Sequence, residues 1–488
     1  MAKQKDLSRN GTTYKILEYA FFAGSFTVKQ ANLSMGGACG AHVVSRSIRL
    51  LHERRYIERI CANGKRDDYL PEDQTNREKA YYTITEEGIR HLGKNSVYHK
   101  AIAEYAVRET SLSRAKEKEG RLNAFALARG AGLNTYAVQK PSFENLVCLL
   151  YDTIRKPEAF PPEYPQLETD DLPAYLKDGI YYTSAEVRRG LTALQIDLDT
   201  FLTTRFIGLC VIGDMLSLVY CHDRKKGYTI LPPNTERALL ETLRDLFPQY
   251  SSPSCVMLAD SPAPVASISI GYPHGRNRRE EERAQREGIL QPLSPEEMEQ
   301  ILEREEARRR QLKGYAILAR ESSGILTGDT DLFREIYVVP VTEDKAGMFR
   351  KAVFSSRETM IREGTAFFET TPGFSCGVSR RGILSGMVFL DGTYLDAVYL
   401  PLADCKILTE LRNRYQGELA VVTDPSLADV VSKTLGTRCG AFFNLEGHMI
   451  PSVRRYKDTG YPVEKDRFDT IRERNRSRAR NLPSFSQG

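Results

Sequence analysis

Three residues in the C-terminal half of the 488-residue chain have the types and spacing that could hold a metal ion and cleave a phosphodiester. Asp404 and Lys406 form an Asp-x-Lys triplet, and Asp391 precedes it in a predicted hairpin turn. Two such carboxylates can hold Mg²⁺, and the lysine can stabilise the attacked phosphate. Asp404 also suits the N-cap of a helix predicted from Ala403, which is the simpler role. We therefore expect Mg²⁺ only if the chain is a nuclease.

Other catalytic signatures are missing from the sequence. It contains no G-x-x-x-x-G-K-[ST] phosphate loop, no G-x-S-x-G nucleophile turn, and no H-x-H or H-E-x-x-H motif among its seven histidines. The nine cysteines form no C-x-x-C pair, which predicts reduced thiols rather than zinc ligands or disulfides. We expect no cofactor, and an enzyme is the less favoured class.

The clearest binding signature lies on a helix predicted from about Ala41 to Arg55. At about 100° per residue, its apolar side chains share one stripe: Val44, Ile48 and Leu51. The opposite face carries polar side chains that suit DNA: His42, Ser45, Arg46 and Arg49. An arginine can donate twice to guanine in the major groove, and a serine can reach phosphates. This face therefore predicts a helix that binds duplex DNA.

A β-hairpin is predicted directly after this helix. Its strands are Tyr56–Cys61 and Ala80–Thr85, and its tip carries Lys65 and Arg66, which suit phosphate or minor-groove contacts. Two shorter helices precede the DNA-facing helix, and another helix follows the hairpin from Glu86. Three helices, a hairpin and a helix are the order of a winged helix-turn-helix. The sequence therefore predicts a DNA-binding domain over residues 1–97, with double-stranded DNA as its partner.

Two segments of this region resemble a known family. Val44–Ile57 (VSRSIRLLHERRYI) and Tyr81–Leu92 (YYTITEEGIRHL) are similar to the helix–wing–helix of the replication-relaxation family, found on plasmids and conjugative elements of Gram-positive bacteria. The resemblance covers about residues 10–95. It implies a role in plasmid replication, in replication of another mobile element or in DNA processing. Members often carry a nuclease-like C-terminal half, whose acidic signature is not clear in this chain.

The remaining sequence predicts an α+β multidomain fold, in which the winged helix-turn-helix is followed by two α/β domains built from β-hairpin–helix–strand units. Turn-forming pairs, Gly213-Asp214 and Asp391-Gly392, mark the two hairpins. Their similar order suggests a duplication. The expected segments are a helical connector (98–178), an α/β domain (179–275), a charged helical linker (276–313), a second α/β domain (314–452) and a basic tail (453–488).

The charge of the chain is unevenly distributed. A net charge of +5 conceals +7 over residues 1–125, −7 over residues 126–452 and +5 over residues 453–488. Basic ends favour an anionic polymer as partner. No apolar run approaches the roughly 18–20 residues of a membrane span, and the N-terminus has no secretory signal. We therefore expect a cytoplasmic protein without a membrane partner.

Several functions use the same residues and stay open at this point. The chain could regulate transcription of the element's own genes through the same DNA-binding helix. It could be a metal-dependent nuclease of restriction-like type, using Asp391, Asp404 and Lys406. It could also be an interaction scaffold whose two α/β units bind a partner. A homodimer and replication or conjugation proteins are the further partners that these functions suggest.

Overall fold

The computed structural model describes residues 11–60, 80–95, 102, 111–155, 174–196, 204–221, 229–231, 233–248, 250, 253–259, 268–270, 333–342, 345–380, 383–390, 392–404, 406–408, 411, 418–435, 439–451 and 453. These residues form a mixed structure of helices and strands, which confirms the α+β class. In this part of the chain, no helix combines the length and apolar composition needed to cross a membrane.

The described segments contain 13 α-helices and 16 strands. The helices are α1 (Thr12–Ala23), α2 (Val28–Ser34), α3 (Ala41–Glu53), α4 (Glu86–Asn95), α5 (Leu112–Glu117), α6 (Glu119–Gly130), α7 (Phe143–Arg155), α8 (Ala174–Asp178), α9 (Ser184–Ala193), α10 (Pro233–Leu246), α11 (Ala346–Phe354), α12 (Arg357–Thr370) and α13 (Ala428–Leu435). The strands are β1 (Phe26–Thr27), β2 (Ile57–Ile60), β3 (Tyr81–Ile84), β4 (Ile180–Thr183), β5 (Gly208–Ile212), β6 (Met215–Cys221), β7 (Thr229–Leu231), β8 (Ser254–Ala259), β9 (Ile268–Ile270), β10 (Ile336–Pro340), β11 (Phe374–Arg380), β12 (Ile383–Leu390), β13 (Thr393–Leu400), β14 (Ala403–Asp404), β15 (Leu419–Thr423) and β16 (Cys439–Phe443).

The N-terminal unit, residues 11–95, combines α1 to α4 with an antiparallel sheet of order β1-β3-β2. Thr27 caps α2 through a capping box, because its hydroxyl accepts from the amide of Gln30 while the Gln30 side chain accepts from the amide of Thr27. Helix α3 ends at Glu53, two residues earlier than predicted, since Arg55 has a left-handed φ of 59°. The chain then turns directly into β2.

A six-stranded sheet forms the centre of the molecule, in the order β14-β10-β8-β6-β5-β4. Strands β6, β8 and β10 are mutually parallel, and the other pairings are antiparallel. β10 pairs with β8 residue by residue from Ile336 opposite Cys255 to Pro340 opposite Ala259. The expected domains 179–275 and 314–452 therefore share one sheet. The charged segment 276–313 lies between β9 and β10 in the sequence, outside the described residues.

A second sheet of five strands has the order β11-β12-β13-β15-β16. Its first three strands are antiparallel, and β13, β15 and β16 are parallel. The series β4-β5-β6-β8-β10 of the central sheet has the same order and the same strand directions. In both sheets, a β-hairpin is followed by a strand that pairs in parallel with the second hairpin strand: β5–β6 with β8, and β12–β13 with β15. The sequence predicted this order of hairpin and strand in both units.

Helix α6 joins the N-terminal unit to the central sheet. Gln30 of α2 donates to Asn123 of α6 at 2.9 Å, and the hydroxyl of Tyr81 lies 3.1 Å from the carboxylate of Glu119. At the other end of α6, a side chain on Gly130 would collide with the carbonyl oxygen of Leu33. The close approach of α2 and α6 therefore requires glycine at this position.

Candidate nucleic-acid interface

One face of α3 is open to solvent, and it carries the four predicted DNA-binding residues of that helix. All four are exposed: His42, Ser45, Arg46 and Arg49. The opposite stripe is buried in the main hydrophobic core: Val44, Ile48 and Leu51. The helix is thus oriented by its apolar stripe, and its polar face is left for a partner.

The contacts of α3 with its neighbours fix its position. Its apolar stripe packs against α1 and α2, and the hydroxyl of Thr13 donates to Ser47 at 3.0 Å. Ser47 is buried, so this hydrogen bond holds α3 on α1 from inside the unit. An exposed face on such a supported helix can meet a ligand without first becoming ordered.

The N-terminus of α3 is a second feature of this surface. Gly40 is the N-cap and has no side chain that could accept a hydrogen bond from the first turn, in which the amide of Val43 donates to the Gly40 carbonyl at 2.9 Å. The glycines Gly36, Gly37 and Gly40 of the preceding turn are exposed. Free amides at a helix N-terminus attract anions. The glycine-rich sequence 36–40 was the available signal, because it leaves that helix end without a capping side chain.

The two arginines of the exposed face differ in their surroundings. Arg49 donates to Glu53 at 3.1 Å, with 63% and 54% of the two side chains exposed. A surface pair of this kind is worth little, so Arg49 can exchange Glu53 for a DNA acceptor at small cost. Arg46 makes no ion pair with any described residue. Lys65 and Arg66, which the sequence predicts at the tip of a wing, lie outside the described residues.

The nuclease candidate Asp404 is buried, and its carboxylate is occupied by the protein. One oxygen accepts from the amides of Lys406 at 2.8 Å and Ile407 at 3.4 Å, and the other lies 3.4 Å from Arg357. The helix expected from Ala403 begins later, because Ala403 and Asp404 pair with β10 as strand β14. Burial raises the pKa of Asp404, which disfavours the ionised form that a metal needs.

Lys406 is the other nuclease candidate that the structure describes. The Lys406 ammonium donates to the carbonyl oxygens of Phe333 and Arg334 rather than facing an open cleft. Asp391 lies outside the described residues. Among the residues that the structure describes, no group of three or more histidine, cysteine or acidic side chains could hold a metal ion. A small cavity of about 30 Å³ lies beside Asp404. Asp404 and Lys406, the two nuclease candidates that the structure describes, therefore do not fit a catalytic Mg²⁺.

No family model, no curated protein and no solved structure matches the chain. The resemblance to the replication-relaxation family therefore depends on the two segments Val44–Ile57 and Tyr81–Leu92 alone.

Proposed function

We propose that the chain binds duplex DNA through a winged helix in its N-terminal unit, and that it acts in replication or DNA processing of a plasmid or another mobile element. The observation that carries the DNA-binding part is the exposed polar face of α3 on a helix whose opposite stripe is buried. The element-related part is supported only by the resemblance of Val44–Ile57 and Tyr81–Leu92.

In this proposal α3 lies in the major groove. Arg46 and Arg49 donate to guanine O6 and N7, and Ser45 and His42 reach the flanking phosphates or base edges. The uncapped first turn after Gly40 adds backbone donors for a phosphate. The hairpin between β2 and β3 supplies Lys65 and Arg66 to the neighbouring backbone. Because α1 and α2 fix α3 from behind, little ordering is needed on binding.

The test compares two arginines of the same unit that have matched surroundings. Arg49 pairs with Glu53 at 3.1 Å with 63% of its side chain exposed, and Arg90 of α4 pairs with Glu87 at 3.1 Å with 67% exposed. A DNA site is first selected from a random duplex library with the full chain. On that site, we expect Arg46→Ala and Arg49→Ala each to cost about 1–3 kcal/mol and to relax base preference. Arg90→Ala should bind as wild type does.

Two results would contradict the proposal. One is the absence of any selected duplex at low salt, where phosphate attraction is strongest. The other is an equal loss for all three alanine variants, since a general loss of positive charge would then explain the binding. A circular dichroism spectrum of each variant confirms that the helices are intact before binding is compared.

A further inference from the structure

One acidic side chain lies on the exposed polar face of α3, among the residues that the proposed function brings to DNA. At about 100° per residue, Glu53 is about 180° from Val44 around the helix axis, opposite the buried stripe. Arg49 and Arg46 lie at about 140° and about 200° on the same scale, on either side of Glu53. The Glu53 side chain is 54% exposed. A carboxylate at this position repels the phosphates of a duplex, so a face built only for phosphate attraction would not contain it.

The contact between Glu53 and Arg49 uses one particular nitrogen of the guanidinium. Nε of Arg49 donates to Oε1 of Glu53 at 3.1 Å. This hydrogen bond leaves the two terminal nitrogens, Nη1 and Nη2, outside the contact. These are the nitrogens that can donate together to O6 and N7 of one guanine. Arg49 can therefore meet a guanine while it keeps its bond to Glu53.

The carboxylate also decides which groups of a duplex attract Arg49. A guanidinium without a neighbouring carboxylate is attracted to any phosphate, and such a contact carries no base information. A guanidinium held at Nε by a carboxylate meets a phosphate together with that like charge, which opposes the attraction. Guanine O6 and N7 are acceptors without a net charge, so the opposing effect is smaller there. The pair of Glu53 and Arg49 therefore favours guanine over phosphate.

We propose that Glu53 is a positioning residue for sequence recognition: it holds Nε of Arg49, directs Nη1 and Nη2 toward guanine and keeps Arg49 off the phosphates. This inference rests on the proposed DNA binding by α3 and adds the residue that sets the base preference of Arg49. The pair contributes little to stability, because both side chains are exposed. A change at Glu53 should therefore alter which duplexes are bound while the helix stays intact.

The first experiment measures base preference with the full chain. Each base pair of the duplex selected by wild type is changed in turn, and the affinity for every duplex and for an unrelated one is measured by fluorescence anisotropy. The variant is Glu53→Gln, which keeps the length of the side chain and removes its charge. The matched control is Glu87→Gln on α4, because Glu87 lies 3.1 Å from Arg90 and is 52% exposed.

Three changes are expected in Glu53→Gln. The preference for guanine at the position where Arg49→Ala loses preference should fall about ten-fold, the discrimination of one good bidentate contact. The affinity for the unrelated duplex should rise about five-fold, the effect of removing one like charge about 4 Å from a phosphate in water. The slope of log affinity against log salt should steepen by about one, since the released Arg49 can neutralise a phosphate. Glu87→Gln should match wild type in all three measurements.

A double variant tests whether Glu53 acts through Arg49. In the Arg49→Ala background, Glu53→Gln should not change base preference at that position any further, because the group that Glu53 positions is gone. An additional loss of preference there would overturn the positioning role. An unchanged guanine preference in Glu53→Gln would overturn it as well. An equal change in Glu87→Gln would also do so, since net charge alone would then explain the result.

The failure of the proposed function has a different signature. If wild type selects no duplex, or if Arg49→Ala binds every duplex as wild type does, the proposed contact of Arg49 with DNA is wrong and the role of Glu53 falls with it. If Arg46→Ala and Arg49→Ala lose affinity and base preference while Glu53→Gln keeps the wild-type preference, the proposed function is supported and only the role of Glu53 is overturned.

Discussion

The contact between α2 and α6 gives the sharpest test of how the N-terminal unit is held. In Gly130→Ala the new methyl group would collide with the Leu33 carbonyl oxygen and lie 3.1 Å from the Gly36 amide nitrogen and 3.2 Å from the Cβ of Ala346, and none of these atoms can rotate away. Overpacking of this kind costs about 1–3 kcal/mol. Alanine recovers about 0.5–1 kcal/mol of helix propensity. We expect a net local destabilisation of about 1–2 kcal/mol, which corresponds to a five- to thirty-fold change in an opening equilibrium.

Hydrogen–deuterium exchange measures this effect where it arises. Peptides covering α2 and α6 should exchange about five- to thirty-fold faster in Gly130→Ala, while peptides from the five-stranded sheet keep the wild-type rate. The control is Gly347→Ala on α11, where no atom lies within 4 Å of the added methyl group. That variant should be neutral or more stable by up to about 1 kcal/mol. Equal exchange in the two variants would refute the tight α2–α6 contact.

Two further predictions concern buried ionisable side chains that contact strands of the central sheet, Lys140 beside β4 and Glu236 beside β6. Lys140, whose side chain is 1% exposed, lies 2.9 Å from Glu186. Lys140→Met should therefore lower the free energy of unfolding, measured by thermal denaturation, by about 3 kcal/mol, because Glu186 loses its partner. The control Lys116→Met, at an exposed position, should lower it by less than about 0.5 kcal/mol. Burial raises the pKa of the Glu236 carboxyl. The folded protein therefore keeps the carboxyl proton at a pH where the unfolded chain has released it. The free energy of unfolding consequently falls as pH rises above about 4.5, the ordinary value of a glutamate. Glu236→Gln should remove this pH dependence, so the melting temperatures at pH 4.5 and pH 7 should differ less than in wild type. An unchanged difference would contradict the raised pKa of Glu236.

Local pattern was sufficient for the elements that bury one face. The stripe of Val44, Ile48 and Leu51 predicted α3, because the helical period follows directly from backbone geometry. The strand-favouring residues of Tyr81–Ile84 predicted β3. The hairpins at 213–214 and 391–392 were likewise predicted, since their turn residues are specific. The exposure of His42, Ser45, Arg46 and Arg49 follows from the same helical period.

Other features depend on contacts that are distant in sequence. Nothing near Ile336 indicates that β10 pairs with β8 across the charged segment, so the sequence divided one sheet between two domains. Helix α12 was missed because its buried residues are few: Gly364, Phe367 and Phe368.

The contact of Gly130 with Leu33 between α2 and α6 also limits whether the N-terminal unit can be moved to another protein as a separate domain. A cut after residue 97 would expose the surface of α2 that Asn123 and Gly130 cover, so the N-terminal unit is not an exchangeable cassette. If the proposed DNA binding holds, its base preference would instead be changed by substituting the outward residues of α3, which contribute nothing to the core. Chains of this architecture are therefore expected to diversify through surface replacement on one helix, with the supporting scaffold inherited as a whole.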